Sequence, residues 1–202
     1  MRSENGADEK KRSFIEEARR AQIVSCAIDA IAEEGYVQTS LAKIAQRAGI
    51  SKGVISYHFA GKEELIIQVA AQVVANGEAH VRPRVESAPD ATSKLSAFIE
   101  SNLEFLGANR NQLLALAQIA AYARYAVPDI TGADIMLSAM ERVIEMGQCA
   151  GQFREVNRRL VATSIRAAMD AVAELLISDP DLDLGQYARD LCDLFLAAIR
   201  KT

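Results

Sequence analysis

Tryptophan is absent from the chain, histidine occurs twice, cysteine three times and proline four times. Without tryptophan, a strong aromatic cage for a quaternary ammonium group would rest on tyrosine and phenylalanine alone. Cys26, Cys149 and Cys192 are odd in number, far apart and set among apolar neighbours. That excludes a disulfide framework and predicts buried free thiols in a reducing compartment. Two histidines and three scattered cysteines form no close ligand cluster, so no metal and no cofactor is expected. Long apolar runs are missing too. The longest nearly apolar stretch, Leu113 to Ala123, is broken by Gln118 and is far shorter than the roughly 20 residues of a spanning helix. The opening residues, MRSENGADEKKRSF, carry no apolar secretory segment, so a cytoplasmic location without a membrane partner is expected. Strand signals are lacking as well, since no long run alternates β-branched or aromatic residues at period two.

What is present describes a globular protein. The 202 residues are 50% apolar and 25% charged, enough chain to bury a core and unlike collagen-like, mucin-like or disordered sequences. No internal repeat supports a solenoid. Apolar residues recur at helical spacing, as Leu95, Phe98, Ile99 and Leu106 illustrate, so the fold class is all-α. About nine helices are predicted, over 14–34, 40–48, 51–57, 61–80, 92–107, 111–126, 132–148, 157–178 and 184–200. Residues 1–13 read as a flexible tail whose Lys10, Lys11 and Arg12 are solvated. Residues 14–62 read as a three-helix N-terminal domain and 63–202 as a helical regulatory, ligand-binding and dimerisation domain.

The net charge of −4 argues against a protein that coats nucleic acid without selectivity. Its distribution matters more. Residues 1–65 hold ten Lys and Arg against ten Asp and Glu, whereas residues 66–202 hold 13 against 17. Between Gly35 and Lys62 there is no acidic residue, while Lys43, Arg47, Lys52 and Lys62 supply four positive charges. An acidic protein thus carries a local basic face.

The same stretch, TSLAKIAQRAGISKGVISYHFAGKEEL from Thr39 to Leu65, has a physical account at each step. Leu41, Ile44, Ala45 and Ala48 line one face of a short helix that Thr39 or Ser40 caps. Gly49 closes it in the left-handed conformation, and Ser51 caps the next helix. Two short helices joined this way form a helix-turn-helix. The second helix presents Lys52, Gly53, Ser56 and Tyr57, and Val54 or Ile55 is placed to meet a thymine methyl. Lys62, in the first turn of the following helix, opposes the helix dipole there and makes most sense facing an anion. Together with the free amides of that terminus it would form a phosphate clamp, with Tyr57 and Thr39 bonding neighbouring phosphates through their hydroxyls.

These residues resemble the DNA-binding half of the TetR family of bacterial transcriptional regulators. The likeness rests on Thr39, Ile44-Ala45, Ala48-Gly49-Ile50-Ser51, Tyr57-His58-Phe59 and Lys62-Glu63-Glu64-Leu65, with Gly35-Tyr36 at the end of the first helix. It covers residues 18 to 70 and joins turn glycine, caps, aromatics and lysine at fixed spacing. Ser56 stands where many members have tyrosine and Val54 where many have threonine, so the base preference is not carried over. The resemblance implies a homodimer that places its third helix in the major groove of a pseudo-palindromic double-stranded operator. It implies a ligand-responsive regulator, by resemblance a repressor, that an unidentified small-molecule effector releases from DNA. The candidate DNA contacts are Thr39, Ser51, Lys52, Gly53, Val54, Ser56, Tyr57, His58 and Lys62.

Beyond residue 80 only pattern is available. Phe98, Asn102, Phe105, Gln118, Tyr122, Tyr125, Met136 and Met140 are candidates for a ligand pocket, since methionine and aromatic linings are adaptable. Plain core packing is the competing reading for each. Ile165, Ala168, Val172 and Leu175, then Leu191, Leu194, Phe195 and Ala198, form two apolar stripes that suit a four-helix dimer interface or the chain's own core. No enzyme is expected. Gly49-Ile50-Ser51-Lys52-Gly53 fits the G-x-S-x-G elbow of esterases, but a helical run precedes it where the elbow needs a strand. The remaining alternative is an all-helical small-molecule carrier or partner-binding protein without DNA-binding activity, which would show no salt-dependent affinity for DNA.

Overall fold

The computed structural model describes residues 4–123 and 133–201. Helices dominate, and among the described residues the one β contact is an isolated antiparallel bridge between Phe153 and Arg200. The elements are α1 (Glu4–Glu34), α2 (Leu41–Arg47), α3 (Lys52–His58), α4 (Lys62–Ser87) and α5 (Ala91–Ala108). They continue with α6 (Arg110–Ala123), α7 (Ala133–Cys149), α8 (Arg158–Asp170), α9 (Val172–Ser178) and α10 (Leu184–Ile199).

Three boundaries differ from the sequence reading. Helix α1 begins at Glu4 instead of residue 14, over a segment that contains no proline to stop it. Helix α4 runs to Ser87 instead of residue 80, with Pro83 inside it. Proline lacks the amide that would bond one turn back, yet the helix continues because Val81 is buried and Val85 packs on the same core. Lys94 Nζ also donates to the carbonyls of Val85 at 2.8 Å and Glu86 at 3.3 Å, satisfying groups that a helix end leaves open. The helix expected over 157–178 is two segments, α8 and α9, meeting at Ala171. There the amides of Glu174 and Leu175 both turn to the Ala171 carbonyl at 3.1 Å.

Two hydrophobic cores organise the molecule. The first joins Ile23, Ala27 and Ile31 of α1 to Ile44 of α2, Ile55 and Phe59 of the α3 segment, and Leu65, Val69 and Val73 of α4. It also takes in Ala115 and Ile119 of α6, both fully buried. The second holds Val81 of α4, Leu95, Phe98 and Leu103 of α5, Leu113 of α6, Met140 of α7 and the inner faces of α8 to α10. Helices α4 and α6 therefore contribute to both cores. Motion of either one in the second core must be felt in the first, because packed interiors transmit displacement instead of absorbing it.

The cysteines divide by burial. Cys192 is buried and its thiol is pushed up to about 11 by loss of solvation and by Glu100 nearby. Cys26 is half-buried and also raised, whereas Cys149 is exposed. The expectation of three buried thiols is corrected at Cys149, which is the last residue of α7, where the helix leaves the core for a turn. That turn depends on a glycine. A Cβ added to Gly147 would stand 2.1 Å from a ring carbon of Phe153, and that ring is buried on a backbone that is bridged to Arg200. Replacing Gly147 by Ala should lower stability by about 1–3 kcal/mol, since overpacking outweighs the gain in helix propensity. Chemical denaturation checks this, and an unchanged midpoint would show that the ring moves aside freely.

Candidate nucleic-acid interface

The turn between α2 and α3 is built as the residue types dictate. The Ser40 side chain accepts from the Lys43 amide at 3.3 Å and starts α2. Gly49 ends it at φ +65°, a backbone conformation that side chains with a Cβ rarely adopt. Ser51 then accepts from the Val54 amide at 3.4 Å and starts α3. Gln22 of α1 donates to the carbonyl of Ala48 at 3.1 Å and holds the turn against the first helix. Ser51 follows a helix and caps another, so the strand-to-helix elbow of an esterase is absent.

Burial divides α3 cleanly. Ile55 has no exposed surface and Phe59 is 2% exposed, which anchors the helix on the first core. Lys52, Gly53, Ser56 and Tyr57 face solvent, and Val54 and His58 are half-buried. Of the two apolar candidates for a thymine methyl, Ile55 is therefore corrected to core and Val54 remains. The Tyr57 ring stands edge-on to His58 at 5.0 Å, and its hydroxyl donates to Glu16 at 3.3 Å. Lys52 is the first residue of α3, with no acidic residue in that turn and no carboxylate partner among the described residues.

The basic face differs in space from its appearance in sequence. Lys43 pairs with Glu34 and Arg47 with Glu33, both from the end of α1. Acids missing from residues 35–62 thus return through the fold, and of the four cations Lys52 and Lys62 have no carboxylate partner among the described residues. Lys62 is held otherwise. Its ammonium donates to the Tyr36 carbonyl at 2.8 Å and lies 4.3 Å from the centre of that ring. Burial lowers its pKa, since desolvation penalises the charged form.

Thr39 is corrected outright. It is 2% exposed, and its hydroxyl lies 2.8 Å from the Gly35 carbonyl and 3.2 Å from that of Ala30, so it locks the α1–α2 turn and is turned away from any phosphate. Thr39→Val should cost about 0.5–1.5 kcal/mol by removing a buried hydroxyl hydrogen bond, since the Gly35 carbonyl keeps the residue 39 amide as a partner at 3.2 Å. The salt dependence of DNA binding should stay the same in that variant. A slope reduced by about one unit in a stably folded Thr39→Val protein would restore the phosphate role.

Two residues outside the candidate DNA contacts belong to the site. Arg20 of α1 stacks 4.3 Å from the centre of the Phe59 ring, donates to the His58 carbonyl and reaches Glu64 at 3.7 Å. It fastens the end of α3. Tyr36 receives Lys62, as above. Arg20 carries no spacing signal that marks it in the sequence, whereas Tyr36 is marked through the Gly35-Tyr36 match without a role.

The candidate pocket residues separate into different places. Phe98 and Met140 are buried in the second core with Met136 packed against it, and Asn102 spends an amide donor on the Phe98 carbonyl at 2.7 Å. Phe105 is buried beside His80, ring centres 5.7 Å apart. Gln118 and Tyr122 are corrected: they lie one turn apart on the face of α6 directed at Tyr36. Tyr125 lies outside the described residues. Among the dimer candidates, Ile165, Val172 and Leu191 are buried in their own chain's core, which removes them from any interface. Ala168 and Phe195 are half-buried, while Leu175, Leu194 and Ala198 are exposed.

A serine-capped helix that rides on a buried isoleucine and turns a cationic, small-residue face outward has the geometry of the second helix of a helix-turn-helix. Residues 23–69 match the model described as bacterial regulatory proteins, tetR family. The likeness to that family is carried by the segment that spans the end of α1, α2, α3 and the start of α4. It is 24% identical over 184 residues to a fatty acid metabolism regulator protein of Bacillus subtilis strain 168, covering 88% of this chain and 94% of that protein. It is 35% identical over 91 residues to the regulator BetI of Burkholderia cenocepacia strain HI2424, covering 45% of this chain and 47% of that protein. The crystal structure of the regulator FadR from Bacillus subtilis in complex with stearoyl-CoA shares the fold, with a TM-score of 0.81 and 22% identity. That match covers 89% of this chain and 99% of the other.

Proposed function

We propose that the protein binds a two-fold related DNA operator as a homodimer and leaves it when a long-chain acyl thioester enters the second core. The observation that carries the DNA part is the outward face of α3. Lys52, Val54 and Ser56 are assigned to base edges, with Gly53 allowing close approach and Tyr57, His58 and Lys62 assigned to phosphates. Ser51 acts as the cap that orients them. With the operator lying in a promoter, occupancy represses.

The dimer part is supported by the apolar surface left uncovered on α8 to α10. Leu160 is 64% exposed, Ile177 69% and Leu194 62%. A groove of about 360 Å³ between α8 and α10 is lined by Leu160, Val161, Phe195 and Ala198 among others. Exposed apolar surface of this kind marks association, and a self-complementary patch closes two-fold symmetry.

The effector class is supported by two relatives. The fatty acid metabolism regulator matches this chain along nearly its whole length, and the FadR structure holds stearoyl-CoA. Likeness to BetI covers 91 residues, under half of either chain, and so carries less weight for the effector. Phe98, Met136 and Met140, which share the second core, are assigned to the acyl chain, as flexible methionines repack readily around an apolar guest. Titrating a protein–operator complex with stearoyl-CoA, free coenzyme A and choline tests this. Release by stearoyl-CoA alone is expected, and release by choline, or by free coenzyme A equally well, would overturn the acyl assignment.

A further inference from the structure

Tyr36 sits in the turn between α1 and α2, packs on the first core and is held from α4 and α6 at once. Gly35, at φ +86°, reverses the chain immediately before it. From α6, Gln118 Oε1 faces the Tyr36 amide at 3.5 Å, the outer limit of a hydrogen bond. One helical turn further on, the Tyr122 ring stacks on the Tyr36 ring, with centres 6.0 Å apart and planes 7° from parallel. From α4, the Lys62 ammonium donates to the Tyr36 carbonyl at 2.8 Å and sits 4.3 Å from its ring centre. One residue therefore has its amide and ring engaged by α6, and its carbonyl and ring engaged by Lys62.

We infer that Tyr36 is the link through which α6 sets the position of Lys62 on the DNA backbone, with Gln118 and Tyr122 as positioning residues that touch no DNA themselves. The inference rests on the reading that Lys62 meets a phosphate. An ammonium has three donors, and Tyr36 occupies one, leaving two for an anion. A lysine stem is flexible, so fixing its end through one carbonyl and one π face lowers the entropy lost when a phosphate arrives. The ammonium sits in the first turn of α4, where the helix dipole repels it, and the Tyr36 carbonyl and ring offset that repulsion in place of water. Helix α6 also reaches the other way. Its Leu113 lies in the second core with Phe98 and Met140, so a guest that displaces α6 there shifts Gln118 and Tyr122, and with them the lysine.

The test compares Gln118→Ala, Tyr122→Leu and Tyr122→Phe, each alone and combined with Lys62→Ala. The measurement is affinity for the duplex that the wild-type protein selects, over 50–200 mM salt. Lys62→Ala should reduce the salt slope by about one unit. Gln118→Ala and Tyr122→Leu should each weaken binding by about three- to tenfold, the worth of one hydrogen bond or one ring stack. Tyr122→Phe keeps the stack and should bind like wild type. With Lys62 already replaced, Gln118→Ala and Tyr122→Leu should cost nothing further. An equal loss in both backgrounds, or no loss while Lys62 is present, overturns the link. Tyr122 is 60% exposed, so its variants carry the test even where Gln118→Ala folds poorly. A wild-type protein that binds no duplex overturns the DNA-binding reading itself, whereas wild-type binding with additive variants overturns only the role of Tyr36.

Discussion

Leu194→Glu is expected to split the protein into monomers and to weaken operator binding by about 10²–10⁴-fold. Leu194 is 62% exposed within one chain, so the substitution leaves the fold of that chain intact. In a two-fold interface it enters twice, placing two carboxylates in an apolar contact where an unpaired charge costs several kcal/mol. Each 1.4 kcal/mol raises the dimer dissociation constant about tenfold. Losing the dimer then removes the high effective concentration of the second reading head, which sets the expected fall in DNA affinity. Sedimentation at micromolar concentration reads the first effect and operator titration the second. A Leu194→Glu protein that remains dimeric would move the interface away from the α8–α10 face.

The second large effect is expected from Lys52→Glu, with opposite signs on stability and on binding. As the first residue of α3, Lys52 opposes the positive end of the helix dipole, and no acid of that first turn offsets it. Glutamate there should raise stability by about 0.3–1 kcal/mol. On DNA the same change removes a cation and sets a carboxylate against phosphates or acceptor edges, a like-charge contact worth several kcal/mol. Affinity should fall by about 10²–10³-fold at 0.1 M salt, with a shallower salt dependence. A variant that is more stable and still binds the operator at wild-type strength would place Lys52 away from DNA. In α2, Lys43 and Arg47 are already paired with Glu34 and Glu33. Their removal should cost less, since surface pairs of this kind contribute little and their charge is partly neutralised.

What was legible in the sequence follows from which forces are local. Caps and turns act over three or four residues, so Ser40, Gly49 and Ser51 could be assigned from spacing and stand where expected. The exposed set on α3 followed from helical period in the same way. Partners distant in sequence were invisible. Nothing in residues 35–62 announces that Glu33 and Glu34 fold back over Lys43 and Arg47, or that Thr39 turns inward to the Ala30 carbonyl, nine residues back. Period alone also leaves the owner of an apolar stripe undecided. Ile165, Val172 and Leu191 lie on the same stripes as Leu175 and Leu194, yet the first three fill their own core and the last two face solvent. Helix α4 outran Pro83 because Val81, Val85 and Lys94 outweigh the lost backbone bond, a tertiary balance that no local propensity contains. The separation of Gln118 and Tyr122 from Phe98 and Met140 has a similar origin. Helix α6 serves two cores on two faces, and a list of aromatic and polar residues does not say which face belongs to which.

The central claim is that the protein reads DNA through a dimer of these heads. Its most direct test is selection from a random duplex library by the full-length protein, followed by affinity for the recovered site at several salt concentrations. The account predicts one enriched sequence with two-fold symmetry, half-sites about one helical turn apart, and a log affinity that falls linearly with log salt. A folded, dimeric protein that enriches no sequence and shows no salt-dependent affinity for any duplex would contradict it.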